Sequence, residues 1–285
     1  MTILWSGLAL GAVYTLVAVG YNIVFVSSNT FNFAQAQLMM VGTFVAYTGL
    51  VTLDLPVLVV AVIATVTVMI LAGLEELVAI RPVHDHHSQL VTTLGVATLI
   101  NGATQLIWGS EPLTVPFFGS ADPVTVLGGR AYPVEIALLI LAVVLVVALG
   151  RFGTRTVTGL ALLGVSEDRE AATLRGVNVR AVALGAFAAS GALAGFLGLF
   201  VGPKTFAVAT LGAALAIKGF VALAIGGFGS LPGALVGGLT VGLVESFTAL
   251  ELGAQYSNIA VFVVLIVILM VRPAGLFGRV RERVV

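Results

Sequence analysis

Apolar positions in this chain run in long unbroken blocks, with neither the alternation of a half-buried strand nor the single stripe of an amphipathic helix. Residues 1–53, 55–74, 86–110, 136–150, 181–203, 219–244 and 252–271 contain no Asp, Glu, Lys or Arg. A helix that crosses a bilayer needs about 20 mostly apolar residues. Blocks of that length, divided by polar breaks, predict spans near 3–26, 34–53, 56–80, 90–108, 133–150, 180–201, 210–227, 232–250 and 256–271. The first break, Ser27-Ser28-Asn29-Thr30-Phe31-Asn32-Phe33, is polar but uncharged. An outer-membrane barrel would alternate at every second residue instead. Met1-Thr2-Ile3 lacks the positive region of a cleaved signal and leads straight into a full-length span. The expectation is an all-α polytopic membrane protein, residues 1–285 forming one transmembrane domain of about nine helices, within a range of eight to ten.

Basic residues orient these spans, because short cytoplasmic loops collect Lys and Arg. One alternation of sides gathers Arg81, Arg151, Arg155, Arg169, Arg175, Arg180, Arg272, Arg279, Arg281 and Arg283, ten of the thirteen basic residues. The other side receives Arg130 and Lys204, while Lys218 lies within a span. This places the C-terminus in the cytoplasm and, with nine crossings, the N-terminus outside. Four spans, a connector and four more would give the halves opposite orientations. A faint echo accompanies that scheme: Thr30-Phe31 and Gly42-Thr43-Phe44-Val45-Ala46 against Thr205-Phe206 and Gly219-Phe220-Val221-Ala222. Inverted repeats of this kind set a substrate path between them.

Composition sharpens the class. The chain is 285 residues long, 59% hydrophobic and 9% charged, with net charge +0. Soluble domains carry about 25% charged residues. A soluble enzyme, a disordered chain and a nucleic-acid binder are thereby excluded, the last also for want of a basic tract to follow phosphates. The absence of Cys removes disulfides and thiolate metal sites. Thirty-four glycines suit helices held together by close backbone approach. Gly229, Gly233 and Gly237, then Gly238 and Gly242, recur at spacing four and predict a small-residue packing face, and Pro232 marks that helix's start.

Polar residues within apolar spans are functional candidates, since a central charge costs about 2.5–3.5 kcal/mol on insertion scales. Lys218 in the seventh expected span and Glu245 in the eighth differ in depth by about 6 Å, within reach of an ion pair. Glu75 and Glu76 are expected at the interface, with Glu76 approaching Arg81. Asn32, Gln35 and Gln37 stand where the chain re-enters the membrane, and uncharged amides suit a path for a zwitterion or urea-like solute; Asn32 could equally cap the second span. The cytoplasmic stretch 151–179 predicts a short helix with Ser166 as N-cap, Glu167, Asp168 and Glu170 in its first turn and Gly176 just past its end. His84-Asp85-His86-His87 has metal-ligand chemistry but no distant second ligand set, so it reads as a mobile loop. Gly202-Pro203-Lys204-Thr205 lacks the Gly-Lys of a phosphate-binding loop, and no nucleophile–base set occurs in any loop. The chain is therefore expected not to be an enzyme, with no cofactor and no metal.

Glu170-Ala171-Ala172-x-x-x-Gly176 resembles the EAA-x-x-x-G signature of bacterial ABC importer permeases, which lies on the cytoplasmic loop that docks onto the ATPase subunits. Further stretches resemble the branched-chain amino acid permeases of the LivH/LivM type and the related urea and amide permeases. These are Asn32-Phe33-Ala34-Gln35-Ala36-Gln37, Arg81-Pro82 with Thr92-Thr93-Leu94-Gly95, and Ser190-Gly191-x-Leu193-Ala194-Gly195-x-x-Gly198. Toward the C-terminus follow Gly226-Gly227-Phe228-Gly229-Ser230-Leu231-Pro232-Gly233-Ala234, Glu245 and Arg272-Pro273-Ala274-Gly275-Leu276-Phe277-Gly278. The set spans nearly the whole chain in order. It departs from the family at Gln35-Ala36, often His-Gly there, and at Leu160-Ala161-Leu162, where an Arg-Ala pair is frequent. The resemblance implies a permease subunit in the bacterial cytoplasmic (inner) membrane, with Glu167, Asp168, Glu170, Ala171, Ala172 and Gly176 coupling to ATPases. Gly191 and Gly195 are expected to pack helices, and the amides Asn32, Gln35 and Gln37, with Lys218 and Glu245, are candidates for the path, a structural ion pair being the alternative for the last two. Its partners would be a second permease of the family, two ATP-binding subunits and an extracytoplasmic solute-binding protein. Branched-chain or related small neutral amino acids would be the cargo; a urea or amide permease and an ATP-independent channel are the alternatives.

Overall fold

The computed structural model describes residues 1–83, 85–120, 122–126 and 128–278. The chain is mostly helical, and its helices are α1 (Thr2–Ser28), α2 (Gln35–Tyr47), α3 (Val57–Glu75), α4 (His86–Trp108), α5 (Pro133–Arg155) and α6 (Val157–Glu167). There follow α7 (Arg169–Leu174), α8 (Val179–Thr205), α9 (Leu211–Gly226), α10 (Leu231–Glu251) and α11 (Ser257–Val271). A small antiparallel hairpin pairs β1 (Val124–Val126) with β2 (Gly129–Ala131). Among the described residues, seven helices are long and apolar enough to cross a membrane, covering 2–28, 57–80, 87–108, 133–155, 179–205, 231–251 and 254–271. The second and seventh expected spans are the ones that fall short. α2 has 13 residues and opens on two glutamines, continuing as a π turn over Thr48–Thr52. α9 has 16 residues and stops where Gly227 takes φ +100°.

The chain forms two compact units, each assembled from separated segments. In the unit of residues 23–121 and 148–216, α8 packs against α3 and α2. The reason lies in its glycines. A Cβ on Gly191 would meet the Val68 carbonyl of α3 at 2.6 Å, and one on Gly195 would strike the backbone of Ala64. One turn on, Gly198 lies against the Gly42–Thr43 backbone of α2, and a Cβ on Gly42 would lie 2.9 Å from the Ala194 carbonyl. Removing Cβ lets two helix backbones approach and gain dispersion contacts that lipid cannot otherwise drive. Phe44, Met39 and Met40 of α2 and Phe187, Leu197 and Leu199 of α8 are fully buried. Trp108 closes the end of α2: its ring lies 5.1 Å from that of Phe44, and its Nε1 donates to Thr48 Oγ1 at 2.8 Å.

In the unit of residues 1–22, 122–147 and 217–285, α10 carries two glycine seams. Gly233 and Gly237 lie against Gly226 and Ala222 of α9, while Gly238 and Gly242 lie against Thr15 and Gly11 of α1. From the other side, a Cβ on Gly11 would sit 2.7 Å from Cα of Leu239. Gly229 is an exception to the expected packing row. It precedes the helix at φ +80°, nothing lies within 4 Å of where its Cβ would be, and its N–H donates to Asn22 Oδ1 at 2.8 Å. Its place is set by the left-handed turn rather than by helix packing. Ser230 caps α10 by accepting from Gly233 N–H at 3.0 Å, with Pro232 in the first turn. The stretch Arg272–Gly278 folds back so that Leu276 and Phe277 N–H donate to the carbonyls of Ile225 and Gly226, at 2.8 and 2.9 Å.

The seam on α8 is testable within one helix. Gly195→Val should lower the unfolding midpoint of the detergent-solubilised protein, at the overpacking cost of about 1–3 kcal/mol or more. Gly185→Ala, on the same helix with nothing within 4 Å of its Cβ position, should raise it, by about 0.5–1 kcal/mol.

Candidate functional site

Lys218 of α9 and Glu245 of α10 meet in an ion pair through Nζ and Oε1. The other carboxylate oxygen accepts from the Tyr14 hydroxyl of α1 at 2.6 Å, and the Lys218 ammonium lies 5.5 Å from the centre of the Tyr14 ring. Three helices thus share one charge-neutral cluster, in which the ring face attracts the cation and the hydroxyl satisfies the oxygen that the lysine leaves free. Its side chains remain 18% and 17% exposed. Tyr14 is the member that the sequence reading missed. Its signal is spacing: Gly7 and Gly11 contact α10, so a residue three further along α1 falls on the same face.

The amide cluster stands in the other unit. Asn32 turns its side chain into the protein and donates from Nδ2 to Glu75 Oε2 at 3.0 Å, while its Oδ1 accepts from the Ala34 N–H at 2.8 Å. Gln35 donates from Nε2 to the Ser190 carbonyl of α8 at 3.4 Å. Gln37, two residues on, points elsewhere, with its side chain against Gly212. Asn32, Gln35, Gln37 and Glu75 are all at least nine-tenths buried. Glu75 and Glu76, expected at the membrane interface, are both packed inside the protein, 5% and 3% exposed. The physical reason is helix phase: Ala64, Val68 and Ala72 form the buried row of α3, and Glu75 continues it. Glu76 does meet Arg81, with Nη2 at 2.9 Å from Oε2 and Nε at 3.3 Å from Oε1.

The segment 151–179 folds as two short helices rather than one. Thr156 caps α6 by accepting from Gly159 N–H at 3.0 Å. Ser166 is not an N-cap: it sits inside α6 with its hydroxyl on the Leu163 carbonyl, and Glu167 ends that helix. The cap of α7 is Asp168, whose Oδ1 accepts from both Glu170 and Ala171 N–H at 2.9 Å. A carboxylate satisfies two free amides and also complements the positive helix end, which one hydroxyl does less well. Gly176, at φ +83°, closes α7: its N–H donates to Thr173 O at 3.0 Å and that of Val177 to Ala172 O at 3.1 Å. This is the Schellman pattern. Ala172 does not face outward. It packs with Val165 and Val179, seating α7 on α6 and α8, whereas Glu167, Asp168, Glu170 and Leu174 are exposed.

Asp85 caps α4, its carboxylate accepting from the Ser88 N–H and hydroxyl, both at 3.0 Å. The backbone hydrogen bond first, then that of the hydroxyl, holds this carboxyl below its ordinary range. Its capping contribution is present above the usual carboxylate pKa and lost as pH falls through the lowered one. His84 and the His86 side chain, like Arg279, Arg281 and Arg283, lie outside the described residues. Among the described residues no three metal-ligating side chains cluster.

A bundle of apolar helices that holds amides and carboxylates in its interior can line a polar route through lipid, and the class it defines is a membrane permease. Residues 3–271 match the family described as the branched-chain amino acid transport system permease component, and the chain belongs to that family. Among relatives, it is 28% identical to the high-affinity branched-chain amino acid transport system permease protein BraD of Pseudomonas aeruginosa, covering 96% of this chain and 94% of that one. It is 27% identical to the LivH permease protein of Escherichia coli, over 97% and 94% of the two chains. A probable LivH of Methanocaldococcus jannaschii is 25% identical, over 92% and 88%. No solved structure matches the chain.

Removing one member of the ion pair should leave the other uncompensated, at a cost near the lower end of about 3–5 kcal/mol. Lys218→Met is therefore expected to lower the thermal midpoint of the solubilised protein clearly, and Lys218→Met with Glu245→Gln should recover part of the loss. Additive losses in the double variant would show that the two residues act separately.

Proposed function

We propose that this chain forms part of the translocation path of an ABC importer in the cytoplasmic (inner) membrane, carrying branched-chain or related small neutral amino acids. ATP is hydrolysed on two separate subunits, a second permease of the same family completes the path, and an extracytoplasmic binding protein delivers the solute. The observation that carries this reading is the family match across residues 3–271. The coupling segment supports it, because α7 is capped at both ends within the chain and displays Glu170 and Leu174 outward. Glu167 and Asp168 stand at the same exposed junction, and Ala171 and Ala172 hold the helix close to its supports. Buried amides within the bundle favour a small polar solute rich in hydrogen-bonding groups, as a zwitterionic amino acid is.

In this reading nine spans cross the membrane, α2 and α9 serving as the short ones, with the N-terminus outside and the C-terminus in the cytoplasm. α1–α4 and α8–α11 are inverted repeats joined by α5. Packing favours the scheme through a reciprocity. α1 lies on α9 and α10, while its counterpart α8 lies on α2 and α3, the counterparts of α9 and α10. Each repeat thereby lends its first helix to the other.

Two measurements test the proposal. Gly176→Val forces a β-branched residue into a left-handed backbone, and Leu174→Asp changes the exposed face of α7. Both variants should insert normally, lose at least tenfold of ATP-driven leucine uptake in vesicles and retain less ATPase on purification. Undiminished uptake in both would remove the coupling role. For orientation, a reporter after Val285 should be accessible only from the cytoplasm and one within residues 119–129 only from outside; access to both from one side would sink the nine-span scheme.

A further inference from the structure

The contact of α2, α3 and α8 holds more acceptors than donors. Asn32 Nδ2 is committed to Glu75 Oε2, and Gln35 Nε2 to the Ser190 carbonyl. Glu75 Oε1 and Gln35 Oε1 are buried with no hydrogen-bond partner. The two residues share a neighbourhood. Ser190 precedes Gly191, whose Cβ position meets the Ala72 side chain of α3, about one helical turn from Glu75. Asn32 bridges the first turn of α2 to the same carboxylate. Among the described residues no cation pairs with Glu75. A buried carboxyl oxygen and a buried amide oxygen, both orphaned, are costly for folding alone. They suit a ligand that brings several N–H donors and one positive charge. The N-terminus of α2 beside them has no side-chain cap and no acidic residue in its first turn, so its dipole favours an anionic group.

We infer that Glu75 and Gln35 receive the ammonium group of the transported amino acid, whose carboxylate lies toward the N-terminus of α2. Asn32 is a positioning residue that orients the Glu75 carboxylate. The inference rests on the reading of the chain as an amino acid permease. It adds to that reading a residue, Glu75, and a requirement that the solute carry a protonated amine. It also separates the two glutamines: Gln35 touches the solute here, and Gln37, on another face of α2, does not.

The test uses the complete transporter in proteoliposomes, with L-leucine as solute. On the solubilised wild-type complex without binding protein, isopentylamine, which keeps the ammonium, should compete with radiolabelled leucine, and 4-methylpentanoate, which lacks it, should compete at least tenfold less well. Glu75→Gln should cut leucine uptake at least tenfold and abolish competition by isopentylamine, in a complex that purifies with its full set of subunits. Gln35→Met, which leaves the Asn32–Glu75 contact intact, should weaken isopentylamine competition several-fold. Equal competition by both probes in the wild type, or unchanged uptake and competition in Glu75→Gln, would overturn the inference while leaving the importer reading standing. A sodium requirement present in the wild type and lost in Glu75→Gln would assign the oxygens to a metal cation and likewise overturn it. A wild-type complex that takes up no neutral amino acid with ATP would overturn the importer reading itself, and this inference with it.

Discussion

Lipid offers helices no hydrophobic reason to associate, and everything else in this protein depends on how that is answered. The answer is contact between backbones. On α8 and α10, glycines remove the atoms that would hold neighbouring helices apart, and the carbonyls of Ala64, Ala222 and Gly238 sit where side chains would otherwise stand. Such contacts are dense and short in range, and they fix helix register. A register fixed in this way places polar residues on α1, α2, α3, α9 and α10 opposite their partners.

The polar clusters follow from that register. Tyr14 reaches Glu245 because Gly11 brings α1 against Leu239 of α10. Gln35 reaches the Ser190 carbonyl because Gly191 and Gly195 bring α8 against α3, and Gly198 brings it against α2. The clusters differ in kind. The lysine–glutamate–tyrosine group is neutral and satisfied, so it fastens helices. The asparagine–glutamate–glutamine group keeps two oxygens without partners, and a site that must release its ligand cannot be complete without it.

Much of this was legible in the chain before its fold. Charge-free blocks located the long helices, and the seventh and eighth expected spans set Lys218 near Glu245. Gly176 was readable as a helix end because its type and position admit a left-handed residue. Other features depended on the third dimension. Ser166 and Asp168 are both good caps, and the choice between them turned on α6 running through Glu167. Glu75 read as an interfacial acid from its place near the end of a span beside Glu76, and its packing inside the protein, in line with the buried row Ala64, Val68, Ala72, needed the helix phase. Gly229 kept the four-residue spacing of its neighbours yet lies outside the helix, since spacing alone does not say where a helix begins. α2 and α9 were expected as full spans, but their polar start and glycine stop shorten them.

The closed ends of α7 have a consequence for association. With Asp168 at one end and the Gly176 turn at the other, six residues are already folded, and Ala172 is seated on α6 and α8 before any partner arrives. Ordering a free loop of that length on binding would consume about 1–2 kcal/mol per residue of backbone entropy. On the proposed coupling role, a segment rigid in advance spares that expenditure, and a push on α7 would pass to the base of α8 instead of being absorbed in shaping the handle.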